Sequence, residues 1–220
     1  MFMSKRRPIV IPQSEHLKLV GTLALLWGNA DFDLPPIDRL SMVAGMGFHD
    51  RGYGFLDNSP IGGMTDEEWI PIARRGFFTQ YTDITADLIA KYHFRRLASH
   101  DSSEARKALA AEFSSEIDRQ LELHKLSGEL FDRMDRITDL CDTFSFNFCF
   151  EKPAEGEISV YPHNGSNAQV SIHYRVENTD LHAAPWPFSV DTYKGYIIGF
   201  KQDGYPKELD PVILPFNLNK

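Results

Sequence analysis

Gln169-Val170-Ser171-Ile172-His173-Tyr174-Arg175-Val176-Glu177 alternates without a break, with Val170, Ile172, Tyr174 and Val176 on one face and the polar residues on the other. A period of two belongs to a half-buried β-strand. Upstream of about residue 150 the apolar residues recur at helical spacing instead, so the change of period near that point decides the fold class. The expectation is a mainly α protein: a bundle of about five helices over residues 13–150, with a small C-terminal β-sheet over 151–220 appended to it. Overall this is α+β in a single domain, 1–220.

Working back from the strand, five helices are predicted. The first follows the extended Pro8–Pro12 segment, with Ser14 as N-cap and His16, Leu19, Val20, Leu23, Ala24 and Trp27 on one face. The second opens at Pro35-Pro36, runs through Ile37, Leu40, Ser41, Ala44 and Phe48, and ends at His49-Asp50 before the Gly52-Tyr53-Gly54 breaker. The third spans about Asp83–Leu97, the fourth Ser102 to about Gly128, and the fifth Glu129–Phe148. Arg51 to about Thr82, rich in Gly, Pro and aromatics such as Tyr53, Phe55 and Trp69, reads as an ordered covering loop. Beyond residue 150, Ile158–Tyr161 and Tyr196–Phe200 read as further strands, and Pro185-Trp186-Pro187-Phe188 as a rigid crossing that packs back on the helices.

Composition narrows the function classes. The chain has 220 residues, 42% hydrophobic and 25% charged, with sixteen Phe to bury, which suits an ordinary globular domain. A net charge of −8 argues against nucleic acid as partner, because neutralising phosphates takes an excess of Lys and Arg. Cys141 and Cys149, eight residues apart in one helix and so about 12 Å apart, are expected as reduced core thiols. No apolar run approaches the roughly 18 residues of a membrane span, and the segment before Pro12 is too short for a secretory core, so no membrane partner and a cytoplasmic location are expected.

Among eight histidines, one set falls on faces that converge with carboxylates: His16 on the first helix, His49-Asp50 at the end of the second, His93 on the third, and Asp142 on the fifth beside Thr138, Cys141 and Ser145. An ionised aspartate on an inward face must be paired, and a cation held by nitrogen and oxygen ligands from several helices is one way to pair it. Each residue has a plainer alternative. His16 could be solvated, Asp50 could cap the turn before Gly52, His93 could be a core histidine bonded to a carbonyl, and Asp57 could support the turn at Asn58-Ser59-Pro60. His100, His124, His163, His173 and His182 are expected at the surface. Arg96, three residues after His93, and Arg51, next to Asp50, could present cations to a phosphate, whereas Lys91 and Arg95 are expected on a solvated helix face. No phosphate-cradling loop, Gly-X-Ser-X-Gly or Cys-X-X-Cys pattern is present.

The order His, His-Asp, distant Asp at His16, His49, Asp50 and Asp142 resembles the HD-type metal hydrolases, an all-α superfamily that carries this pattern on separate helices. A broader likeness runs through Ile11-Pro12-Gln13-Ser14-Glu15-His16, Leu25-Leu26-Trp27-Gly28, Phe48-His49-Asp50-Arg51-Gly52-Tyr53, Tyr92-His93-Phe94, Asp142-Thr143-Phe144-Ser145-Phe146 and Pro185-Trp186-Pro187-Phe188. These stretches resemble an uncharacterised domain-of-unknown-function family, with Tyr53 standing where a tryptophan is expected.

The HD resemblance implies a metal-dependent hydrolase acting on a phosphate ester of a small molecule or nucleotide. His16, His49, Asp50 and Asp142 would be the metal ligands, with His93, Arg96 and Arg51 as catalytic residues orienting the substrate. The cofactor expected is one or two divalent transition-metal ions, Fe, Mn or Zn, because imidazole is well represented. An HD-type di-iron oxygenase is the alternative enzyme, and a non-catalytic binding or scaffold protein the alternative without chemistry. An oligomer is possible through the long fourth helix, although a core stripe explains that pattern more simply.

Overall fold

Pro12 alone separates a strand from the helix that carries the first histidine. In the computed structural model, which describes residues 1–56, 60–100 and 103–220, β1 (Phe2–Met3) and β2 (Ile9–Ile11) precede α1 (Gln13–Leu26). The helical part continues with α2 (Arg39–Gly47), a 3-10 turn at Arg51–Leu56, α3 (Asp66–Phe78), α4 (Ile84–Ser99), α5 (Glu104–His124) and α6 (Gly128–Cys149). The chain then forms β3 (Ala154–Val160), β4 (Val170–Glu177), β5 (Asp180–Ala184), β6 (Thr192–Lys201) and β7 (Pro211–Asn219).

This corrects the expected architecture of a mainly α bundle with a small appended sheet. All seven strands join one sheet in the order β1-β2-β6-β7-β5-β4-β3, antiparallel except where β5 meets β7. The sheet is drawn from both ends of the chain: Ile9 and Val10 pair with Lys201 and Phe200. Its inner face, including Ile9, Ile172, Ile197, Leu214, Phe216 and Leu218, is buried. β7 hides from a reading of local pattern because Pro211 and Pro215 interrupt it, yet both lie on its exposed face while Leu214, Phe216 and Leu218 point inward.

The covering loop is also corrected, because thirteen of its residues form α3. Thr65 caps that helix, taking the Glu68 amide while the Glu68 carboxylate takes the Thr65 amide, and this reciprocal box offsets the break that Pro71 and Gly76 suggest. α1 begins one residue before the expected cap at Ser14, and its first turn follows Pro12 directly. α2 begins not at Pro35-Pro36 but after Asp38, whose side chain accepts from the Ser41 amide. α4 is capped by Asp83 and α5 by Ser103, the latter ending at Lys125 with φ of 55°. The Pro185–Phe188 crossing does pack back: Phe188 bridges Trp27, and Gly28 donates to Pro187 O at 2.9 Å. Cys141 and Cys149 are free, buried thiols, and burial pushes both pKa values up. Asp57, Asn58, Ser59 and Ser102, and the side chain of Phe55, lie outside the described residues.

No helix among the described residues is long and apolar enough to cross a membrane. Lys91 is not on a solvated face, as expected from the sequence, but 1% exposed and ion-paired to Asp87 at 2.7 Å. Arg95 lies over the Tyr92 ring and pairs with Asp132 at 2.9 Å.

Candidate metal centre

Three helices and the end of a fourth bring the site together. α1 supplies Gln13 and His16 from its first turn, the chain leaving α2 supplies His49 and Asp50, α4 supplies His93 and Arg96, and α6 supplies Asp142. All three histidines are buried to 1% exposure or less, while Asp50 and Asp142 keep 14% and 15% of their side chains exposed, so the site opens to solvent along its carboxylates.

Four donor atoms form a small cage. His16 Nε2 lies 3.2 Å from His49 Nε2, 3.3 Å from Asp142 Oδ1 and 3.7 Å from Asp50 Oδ2. His49 Nε2 lies 3.5 Å from Asp142 Oδ1 and 3.7 Å from Asp50 Oδ2. A tetrahedral ion with bonds of about 2.0–2.2 Å to nitrogen and oxygen holds its donors about 3.3–3.6 Å apart. These separations have that size, and a His16-His49-Asp142 group and a His49-Asp50-His93 group could each hold a metal ion.

Hydrogen bonds aim the ligand atoms. His49 Nδ1 lies 2.7 Å from the carbonyl of Met46, which can only accept, so Nε2 is left to face the cage. Both oxygens of Asp50 are held, Oδ2 by the Gln13 amide at 2.7 Å and Oδ1 by His93 Nε2 at 3.0 Å. Ser145 Oγ donates to His16 O at 3.0 Å, tying α6 to α1. The Phe2 ring lies 5.0 Å from the His16 ring. His16 Nδ1 is buried with no hydrogen-bond partner among the described residues.

The charges are set by their neighbours. Burial opposes ionisation of Asp142, but hydrogen bonds from His16 and His49 outweigh it and hold its pKa well below the usual carboxylate range. Burial likewise opposes an ionised Asp50, and the His49 charge and the His93 bond override it, lowering its pKa. His49 is pushed up despite burial, by Asp50 and Asp142. His93 is pushed down, first by burial and then by His49. Two carboxylates thus stay ionised around a buried space where positive charge is favoured.

His16, His49, Asp50, His93 and Asp142 are brought together, as the helical faces suggest. Arg96 also reaches the group, donating from Nη2 to His93 Nδ1 at 2.8 Å, but its other nitrogens are engaged by Asp135 at 3.1 Å and Asp139 at 2.7 Å. Arg51 turns elsewhere: its guanidinium meets Gly76 O, Phe77 O, the Tyr81 ring and Asp87. Tyr53 and Trp69 are buried and bonded to each other through the indole N–H and the phenol oxygen, and burial, then Asp50, pushes the Tyr53 pKa up.

Gln13, Asp135 and Asp139 were not foreseen as site residues. The two aspartates were readable, since with Asp142 they fall at intervals of four and three along α6, one face of a helix. Gln13, set between Pro12 and the cap-like Ser14, gave no comparable signal.

Over residues 3–198 the chain matches the family described as "Protein of unknown function (DUF3891)". The chain belongs to that family. The match takes in every element that contributes to the candidate metal centre and ends inside β6, so β7 lies beyond it. Among curated proteins and among solved structures, none matches this family member.

Proposed function

We propose that this protein is an HD-type metal-dependent hydrolase whose substrate is a phosphate ester of a small molecule or nucleotide. The observation that carries the reading is the cluster of His16 Nε2 and His49 Nε2, 3.2 Å apart, with Asp142 Oδ1 and Asp50 Oδ2 each 3.3–3.7 Å from both nitrogens. Its order along the chain, one His, then His-Asp, then a distant Asp on α6, is consistent with the HD pattern. A divalent Fe, Mn or Zn ion bound there would lower the pKa of a water and offset charge on phosphoryl oxygens.

The chain's own residues do the positioning. His49 is held in the ligand tautomer by Met46 O. The Gln13 amide and the His93 N–H grip the two oxygens of Asp50, so the carboxylate cannot swing out of the cage. The expected substrate-binding arginines have other partners: Arg96 is bound by Asp135 and Asp139, and Arg51 by Asp87. Phosphoryl charge would therefore be met at the metal centre rather than by a free guanidinium. A di-iron oxygenase is the second reading, and the His49-Asp50-His93 group favours it.

Hydrolysis of a panel of phosphomonoesters and phosphodiesters by protein loaded with Mn, Fe(II) or Zn tests the proposal. Turnover is expected for at least one ester, abolished by chelation and by His49→Ala or Asp142→Ala in variants that keep the wild-type circular dichroism. Full activity in both variants overturns it, as does the absence of turnover with every ester and metal.

A further inference from the structure

The three buried histidines differ in what their second ring nitrogen touches, and that difference fixes which of them has a lone pair to give. At His49, Nδ1 faces the Met46 carbonyl at 2.7 Å, so a proton sits on Nδ1 and Nε2 can ligate with the ring neutral. At His93 the polarity is reversed. Nδ1 lies 2.8 Å from Arg96 Nη2, and a guanidinium only donates, so Nδ1 must hold its lone pair toward Arg96. The proton then sits on Nε2, which donates to Asp50 Oδ1 at 3.0 Å. Giving up that proton to an ion would leave His93 an imidazolate, whereas His49, with a proton on Nδ1, stays a neutral imidazole when its Nε2 ligates. For His93 to ligate through Nε2, Nδ1 would have to take up the proton and point it at a guanidinium N–H.

Arg96 is not free to move aside. Its Nε donates to Asp135 Oδ1 at 3.1 Å and its Nη1 to Asp139 Oδ1 at 2.7 Å, and Arg136 holds the other oxygen of Asp139 at 3.0 Å. Asp142 Oδ2 faces the same guanidinium, 3.9 Å from Nη2. The His49-Asp50-His93 group is therefore short of one donor, while the His16-His49-Asp142 group keeps all of its own. Around Arg96 stand the three acidic side chains of one α6 face, so the guanidinium supplies there the positive charge that a second cation would otherwise bring.

Resting on the reading of this cluster as a metal centre, we propose that it takes a single divalent transition-metal ion, and that Arg96, acting through His93, closes the position beside Asp50 Oδ1 that a second ion would need. Arg96 and His93 are positioning residues: the first sets the tautomer of the second, and the second fixes Asp50. A one-ion centre suits hydrolysis and lacks the paired irons that a di-iron oxygenase uses.

The test counts ions in the full-length protein after stripping with chelator, reloading with excess Mn(II) and desalting. Elemental analysis is expected to give about one Mn per chain, and electron paramagnetic resonance the six-line spectrum of an isolated ion, with no variant required. His49→Ala should lose that equivalent. Arg96→Met, which removes the donors and frees His93 to turn its lone pair outward, should admit a second equivalent with an exchange-coupled spectrum, its folding checked by thermal melting. Two coupled ions in the wild type, one of them lost in His93→Ala, overturn the proposal and leave the metal-centre reading standing. A folded Arg96→Met that still holds one ion overturns the role given to Arg96. No bound metal in the wild type overturns the underlying reading itself.

Discussion

Replacing Asp87 with alanine should be among the most damaging single changes in the molecule. Asp87 lies on α4 between two buried cations, 2.8 Å from Arg51 Nη1 and 2.7 Å from Lys91 Nζ, with the three side chains only 3%, 4% and 1% exposed. Arg51 keeps two carbonyls and the Tyr81 ring when the carboxylate is gone, but these are dipoles and a quadrupole, not a counter-charge. Lys91 keeps the Phe77 ring, 5.4 Å away, and a Coulombic interaction with Glu116, which makes no direct ion pair with it. Removing one member of a buried ion pair costs about 3–5 kcal/mol, because the remaining charge stays out of water unpaired. Against a total stability of about 5–15 kcal/mol that is a large fraction. For a chain of this length it corresponds to a fall in Tm of about 6–20 °C. Urea and thermal denaturation of Asp87→Ala followed by circular dichroism would measure it. Replacing all three together, as Arg51→Met, Asp87→Leu and Lys91→Met, should recover most of the loss, since no charge is then left buried. Because Arg51 follows Asp50 directly, Asp87→Ala should also weaken Mn binding at the cage. A stability within about 1 kcal/mol of wild type would refute the claim that these charges depend on one another.

Two further outcomes follow from other parts of the fold. The Glu116 carboxylate is held down at about 2, chiefly by the Arg119 guanidinium and also by Gln120 and the Lys91 charge; a carboxylate lowered on folding stabilises above its ordinary pKa of about 4.3 and loses that contribution as pH falls toward its folded value. Glu116→Gln should therefore be less stable than wild type at pH 7 by about 0.2–1 kcal/mol, the size of a partly exposed pair, with the two converging as pH approaches 2, and a gap that does not change with pH would count against the pairing. A Cβ at Gly52 would lie 2.7 Å from Ile72 O and 2.9 Å from Gly76 Cα, both backbone atoms that cannot rotate away; Gly52→Ala should cost about 1–3 kcal/mol in thermal denaturation and, by shifting the turn after Asp50, weaken Mn binding, whereas unchanged values for both would show that the contact gives way freely.

How much of this was legible in the chain depended on whether the signal was local. The inner stripe from His16 to Trp27, the start of α4 near Asp83 and the alternation of β4 are each written within a few residues, and all correspond to elements of the fold. The joint faces of His16, His93 and Asp142 were legible for the same reason, since helical period alone turns them inward, while His49 stands in the turn just beyond α2. The extent of the sheet was not. Ile9-Val10-Ile11 is too short to announce a strand, and its partner, near residue 200, lies almost the whole chain away. α3 hid behind Pro71, although the Thr65–Glu68 box was there to be read. The destinations of Arg51 and Lys91 could not be read from local pattern: Arg51 was expected to face a substrate phosphate and Lys91 the solvent, yet both turn inward to Asp87.

The missed strands bear on the site as well as on the fold class. β2 ends at Ile11 and α1 begins at Gln13, so only Pro12, with φ of −60°, joins the sheet to the helix that carries His16. Within the first turn of α1, successive residues are about 100° apart around the axis, which puts Gln13 and His16 on one side and Glu15 well away from Gln13. The two sides are gripped separately. Gln13 and His16 enter the cage, while Glu15 Oε2 accepts the Ile198 amide of β6 at 2.8 Å, taking a strand hydrogen bond beyond the point where β2 pairs with β6. β1 adds Phe2 against the His16 ring. His16 is thus placed by the sheet as much as by the bundle. A ligand must hold its donor atom to within a fraction of an ångström, and a helix end fastened on opposite sides to a seven-stranded sheet and to the ligand cluster has little freedom to drift. On this geometry the sheet, through its first two strands, is the support against which the candidate metal centre is built.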